Sequence, residues 1–266
     1  MKTRLTALAA GILLGGSLLV AGAGVVTATT PPVASGPAGH GLCAPQAGAA
    51  ASAAASAAPS GAKGAAVLAA LKAFANCEIN RRETTLTTLS AHITSSKTIT
   101  STDAAALQSE ISSEKSGLSS LESKIDADTT LVTLRADIVT IVTGYRVYVL
   151  VVPQSNLTIA ADTVLATQAR FASLNTALSN AIATAQANGK DTTAAQADLD
   201  AMNASVTAAM NLASPLPAQL IALTPAEYNA GTAGPILTSS RKALGQARDD
   251  LKSAVADAVA CRNALK

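Results

Sequence analysis

The chain has no tryptophan, two phenylalanines, three tyrosines, two histidines and three cysteines among its 266 residues. With aromatics at 2% of the composition, a core has to be assembled from Leu, Ile, Val and Ala, and narrow cores of that kind suit close-packed helices. His40 and His92 stand far apart, no His/Cys/carboxylate set has metal-ligand spacing, and neither a metal nor another cofactor is expected. No strand pattern precedes a Gly-rich turn, which excludes a phosphate-cradling loop, and no Ser or Thr occupies a nucleophile elbow. These absences argue against an enzyme. Charge is also scarce, at 14% of residues. Lys2 and Arg4 are two of the 19 basic residues, so without them the chain balances its 17 acidic ones and offers nucleic acid no electrostatic footprint. The adjacent pair Arg81-Arg82 is expected on a solvated helix face.

What is present begins with MKTR, an apolar run from Leu5 to Val26 and then small residues, the three parts of a secretory signal. Ala21-Gly22-Ala23 or Val26-Thr27-Ala28 supplies a cleavage site, and the run is also long enough to span a bilayer uncleaved. The first cysteine after it is Cys43, too distant for a lipoprotein anchor. Residues 29–64 are rich in Pro, Gly, Ala and Ser and read as a disordered spacer, leaving 65–266 as the folded domain. The expected location is secreted or extracytoplasmic and cell-surface associated, with membrane contact only through an uncleaved signal segment.

From Ala65 onward apolar residues recur at alternating three- and four-residue steps. The expected helices cover about 65–95, 103–127, 130–152, 156–188, 192–213 and 235–265. Thr224-Pro225-Ala226-Glu227 reads as a capping box with Pro at the first helical position, and Thr100-Ser101-Thr102-Asp103 as a looser version. Asn188-Gly189 suits a helix C-terminus, and residues 214–234 form an irregular connection. The fold expected is all-α, an antiparallel coiled-coil-like bundle of about six long helices. A rod with a kinked helix continuous through Pro153 is the alternative.

Residues 145–153, YRVYVLVVP, hold two of the three tyrosines. They continue the helical repeat of Leu131, Leu134, Ile138 and Ile141, so they read as helix rather than strand. Val132, Val139, Val142, Val149 and Leu150 add a second apolar face, which predicts that this helix is the most surrounded. Tyr145, Arg146 and Tyr148 are the candidate binding residues, with Glu110, Glu114 and Asp162 as their structural polar partners; an antiparallel hairpin sets residues level when their numbers sum to about 257. Pro153 is expected to end the helix in a reversal. In a bundle that reverses there, Cys77 and Cys261 approach one end and are the expected disulfide, with Cys43 an equally available partner for Cys77.

The segments Cys77-Glu-Ile-Asn-Arg81, Ile99-Thr-Ser-Thr-Asp103, Gly117-Leu-Ser-Ser-Leu121, Lys124-Ile-Asp-Ala-Asp128-Thr129, Tyr145-Arg-Val-Tyr148 and Leu223-Thr-Pro-Ala-Glu-Tyr228 together resemble an uncharacterised family of secreted, all-helical actinobacterial proteins. The resemblance implies export and a helical fold and no activity. The expected function is a non-catalytic secreted or cell-envelope protein, a structural spacer or protein-interaction module whose partner is a protein or envelope component. The alternative is a helical bundle that binds a lipid or hydrophobic ligand around Tyr145 and Tyr148.

Overall fold

The computed structural model describes Cys43, Gly48 and residues 60–266; the expected signal segment and most of the spacer lie outside the described residues. The protein is all-α, with no strand among the described residues. The first helix, α1, is Ser60–Ser95, so it starts inside the stretch expected to be spacer. These five residues, 60–64, include two glycines and only one alanine, and they are carried by the helix that propagates from the alanine- and leucine-rich stretch after them.

The helix α2, Ser101–Ala127, starts at Thr100, whose side chain accepts the Asp103 N–H. Its row Leu107, Ile111, Leu118, Leu121 and Ile125 is buried. At about 2 kcal/mol for each fully buried aliphatic side chain, this row is what fixes α2 on its neighbours. The next helix, α3, is Leu131–Thr143, capped by Thr130. It is followed by a π-helical turn, Val147–Val151, and then by α4, Val152–Leu165.

Cross-helix contacts set the register of these elements. Lys124 Nζ meets Asp137 Oδ1 at 2.7 Å, Gln154 Nε2 donates to Glu110 at 3.0 Å, and Thr100 N–H donates to Asp162 at 3.0 Å. The whole of α2 therefore runs antiparallel to a single line of chain from α3 through the π turn to the end of α4, with an offset several residues larger than the hairpin sum expected. α1 lies antiparallel to α2 as well, with Asn76 on Asp126, Lys115 on Thr87 and Ser90 on Gln108.

The expected reversal at Pro153 does not occur, and the kinked continuous helix is the arrangement found. Proline lacks an N–H and crowds the preceding turn. The π turn lies in that preceding turn, where the Val152 N–H reaches back to the Val147 carbonyl, so the helix passes through Pro153 within the first turn of α4.

The remaining elements pack around the distal part of this line. α5 is Gln168–Ala187, α6 is Thr193–Ala213, and two short helices, α7 (Leu216–Ile221) and α8 (Pro225–Asn229), lead into α9, Ala233–Ala264. Gly189, at φ +74°, closes α5, and Thr224 with Glu227 forms both bonds of the expected capping box. Ala209, Ala213, Ala233 and Ala247 line the inner α6–α9 contact with Leu237 and Leu244, and Leu178, Ile182, Leu199, Met202 and Ala254 form the core at the tip. Small side chains bring α6 and α9 close along most of their length.

Burial is distributed in the reverse of the sequence expectation. Four of the five residues of the second apolar face point outward, Val132 at 78% exposed, Val139 59%, Val142 47% and, in the π turn, Val149 42%, while Leu150 is buried. The most enclosed stretch is α4, where Gln154, Ser155, Thr158 and Asp162 are buried alongside Val152, Ile159, Ala161 and Val164. α4 touches α1, α6, α7 and α9, whereas α3 touches α1 and α2.

Candidate functional site: the tyrosine joint

The YRVY stretch lies where the two three-helix layers overlap. The break in the helix comes at Gly144–Arg146 rather than at Pro153. Arg146 has φ +45°, the left-handed region that a side chain enters at a cost of about 1–2 kcal/mol. Its guanidinium supplies compensation: Nε donates to Asn229 Oδ1 at 2.7 Å and the group lies 5.3 Å from the centre of the Tyr228 ring. Asn229 Nδ2 in turn donates to the Thr143 carbonyl at 2.8 Å, satisfying the frayed end of α3. None of the expected partners Glu110, Glu114 and Asp162 holds Arg146. α8 does, through two residues that no helical periodicity singled out; a Tyr-Asn pair just after a capping box was the available signal.

Tyr148 faces α1. The Arg81 guanidinium sits 4.8 Å and that of Arg82 5.2 Å from the ring centre, and both reach Glu78 Oε2 at 2.7 Å. Arg82 is 5% exposed, so the pair expected on a solvated face is part of the interior. Cation–π attraction strengthens when the groups are desolvated, which is the situation of this triad. Burial alone would raise the Glu78 carboxyl, but the hydrogen bonds and charges of Arg82 and Arg81 outweigh it and hold the group below its ordinary value. The Tyr148 hydroxyl is buried without a partner.

Tyr145 faces α2. A Cβ on Gly117 would lie 2.6 Å from Tyr145 Cε1, so glycine is what admits the ring. Burial, and then the charge of Glu114, raise the Tyr145 phenol. Glu110 is bonded to Gln154, whose amide also donates to the Ile221 carbonyl of α7 at 3.3 Å. Burial pushes Glu110 up to about 7, partly opposed by that amide, and burial with the neighbouring Glu110 charge pushes Glu114 up to about 8. Glu114 Oε2 and Gln154 Oε1 are buried without partners. Asp162 accepts from Thr100 and is raised by burial, with Asp103 adding to the shift against the Thr100 hydrogen bond.

Tyr145, Tyr148 and Tyr228, the only tyrosines in the chain, thus meet at one level of the molecule, on α2, α1 and α8 respectively. Tyr148 lies against Arg81 and Arg82, and Tyr145 lies over Gly117. A separate groove of about 310 Å³ lies between α5 and α6, lined by Gln168, Phe171, Asn175, Asn203, Val206 and Thr207 among others.

The disulfide joins Cys43 to Cys77, not Cys77 to Cys261. With the helix continuous through Pro153, Cys77 and Cys261 fall in different halves of the protein; Cys261 is a free, buried thiol in the tip core. Among the described residues no three His, Cys, Asp or Glu side chains gather as a metal would require. The chemistry that the joint can perform is proton exchange at two carboxyls without a counter-charge.

No protein-family model matches the chain, and comparison with curated proteins and with solved structures finds no match.

Proposed function

We propose that the protein is a non-catalytic, exported spacer of the cell envelope or its surroundings, holding an interaction partner at a distance from its N-terminal attachment. The observation that carries this reading is the placement of the ends. The line from Leu131 to Ala187 spans 57 residues, with α3, the π turn, α4 and α5 following one another across short breaks at 144–146 and 166–167. At 1.5 Å per residue it is about 85 Å long if straight. The Cys43–Cys77 anchor belongs to the α1–α3 half, while Lys190 holds the C-terminal Leu265 and Lys266 carbonyls at the opposite tip. A chain that enters at one end and leaves at the other separates whatever is attached to them. The signal-like N-terminus and the resemblance to secreted helical proteins support export.

Small-angle scattering tests the spacer. A rod of this length and three-helix thickness has a radius of gyration of about 27 Å, against about 17 Å for a compact domain of the same size. A value near the smaller figure refutes the spacer.

A further inference from the structure

Glu110 and Glu114 stand one turn apart on α2 and face the part of the structure where the π turn, α4 and α7 converge. Glu110 touches only the Gln154 amide, and Glu114 Oε2 touches nothing. The basic groups of the surrounding elements are engaged elsewhere or exposed: Lys72 donates to the Asp126 carbonyl, and Lys97 and Arg135 are exposed. On α1, Arg81 and Arg82 are taken by Glu78, and His92 sits in the last turn with its Nδ1 unpartnered. On α2, Lys115 donates to Thr87, and the other acidic groups are Asp103, in the capping turn, and Glu122 and Asp126 further along, the last accepting from Asn76. On the α3–α4 line, Arg146 is on Asn229, Asp162 on Thr100, Asp137 on Lys124, and Tyr145 is the phenol beside Glu114. α7 carries no titratable side chain, and on α8 Glu227 is held in its capping box and Tyr228 lies beneath Arg146.

We propose that the Glu110–Glu114 pair makes the joint proton-responsive: with both carboxyls neutral α2 closes against α4 and α7, and ionisation of the pair loosens that contact while the helices persist. The reason is Coulombic and solvational together. Two carboxylates one turn apart on a helix repel, and removing each from water without a cation is costly. The structure has a place to absorb the motion, since the left-handed Arg146 and the π turn interrupt the regular helix beside the pair. Carboxyls whose proton affinity is raised on folding leave stability intact below their ordinary value of 4.5 and erode it as pH rises through about 7 and about 8. The joint is therefore closed in mildly acidic surroundings and loosened in mildly alkaline ones.

The tyrosines provide the readout. All three lie at the joint and the chain has no tryptophan, so the tyrosine band of the near-ultraviolet circular dichroism reports this region. On the full-length protein, titrated from pH 5.5 to 9, the tyrosine band is expected to fall by about half with a midpoint between 7 and 8, as burial and like charge displace the two carboxyls, while far-ultraviolet ellipticity stays constant. E110Q/E114Q is expected to abolish the transition. The single variant E114Q retains it with a lower midpoint, because the carboxyl pushed higher, to about 8, is gone and Glu110, at about 7, remains, and this serves if the double variant fails to fold. A flat wild-type profile, or a transition that persists unchanged in both variants, overturns the proposal.

Discussion

Gly117 is the position where packing at the joint can be measured against helix propensity. In mid-helix, replacing glycine by alanine is worth about 1 kcal/mol in favour of the folded state. At Gly117 the new Cβ would lie 2.6 Å from Tyr145 Cε1, 2.9 Å from the hydroxyl oxygen and 3.2 Å from Cζ. Favourable carbon contacts lie at about 3.5–4.0 Å, so the ring has to retreat by roughly 1 Å. Overpacking of this kind costs about 1–3 kcal/mol, and the retreat also disturbs the Tyr145–Glu114 association. G117A is therefore expected to destabilise by about 1 kcal/mol, the clash prevailing over the propensity gain. In a Y145A background the space is open, and the same substitution should stabilise by about 1 kcal/mol, a coupling of about 2 kcal/mol between the two positions. Urea unfolding of the four proteins at pH 6 measures it with the joint carboxyls largely neutral. If G117A stabilises equally in both backgrounds, the Tyr145 ring does not rest on Gly117 and the reasoning fails.

Three further outcomes follow from the same geometry. Glycine removes the left-handed strain at position 146 that alanine retains, while both lose the Asn229 bond and the Tyr228 contact, so R146G should be more stable than R146A by about 1 kcal/mol in chemical denaturation; equal stabilities would contradict the φ of Arg146. E78A leaves two guanidinium groups in the interior without a counter-charge and should cost about 3–5 kcal/mol, compared with under 1 kcal/mol for removing Asp249 from its exposed pair with Lys252, by the same assay. Reducing the Cys43–Cys77 bridge opens a loop of 34 residues and should lower stability by about 4 kcal/mol, a fall in Tm of about 10 °C in calorimetry with and without reductant.

Element types and most ends were readable because local chemistry decides them. The Thr224–Glu227 box, the Thr100 cap and the Asn188-Gly189 terminus act within one helical turn, and each is formed where the residues suggested. The Cys pairing and the route past Pro153 depend on one another across the whole chain. A proline argues for a break on local grounds, and only the extra residue of the π turn just before it removes that argument. Once the helix continues, the two halves separate and Cys43 is the partner left for Cys77. At the joint, helix register set α2 antiparallel to the line through Tyr145, but with an offset several residues too small. The partners of Arg146 were not legible, since Tyr228 and Asn229 lie more than eighty residues away on a five-residue helix.

The inverted burial of α3 and α4 has a common physical origin with the joint. A valine-rich helix looks like core and a Gln-Ser-Thr-Asp helix looks like surface because transfer of side chains, taken singly, ranks them so. What decides is whether polar groups can be satisfied in place. In α4, Ser155 returns its hydroxyl proton to the Val151 carbonyl, Thr158 does the same to Gln154, and Asp162 accepts a backbone N–H from the start of α2. These side chains are small or internally bonded, so helices can crowd α4 from every side without stranding a donor. Satisfaction is incomplete at a few acceptors: Asn156 and Asp162 each keep one side-chain oxygen unpartnered, and so do Gln154 and, on the facing helix, Glu114. A buried polar group left incomplete costs roughly 1–3 kcal/mol, a cost that persists where it makes an equilibrium adjustable. In this protein part of it falls on Glu114 beside Glu110, carboxyls pushed up to about 8 and about 7, next to the only left-handed side chain among the described residues. The residues that hold the two halves together are therefore also those whose protonation can let them move.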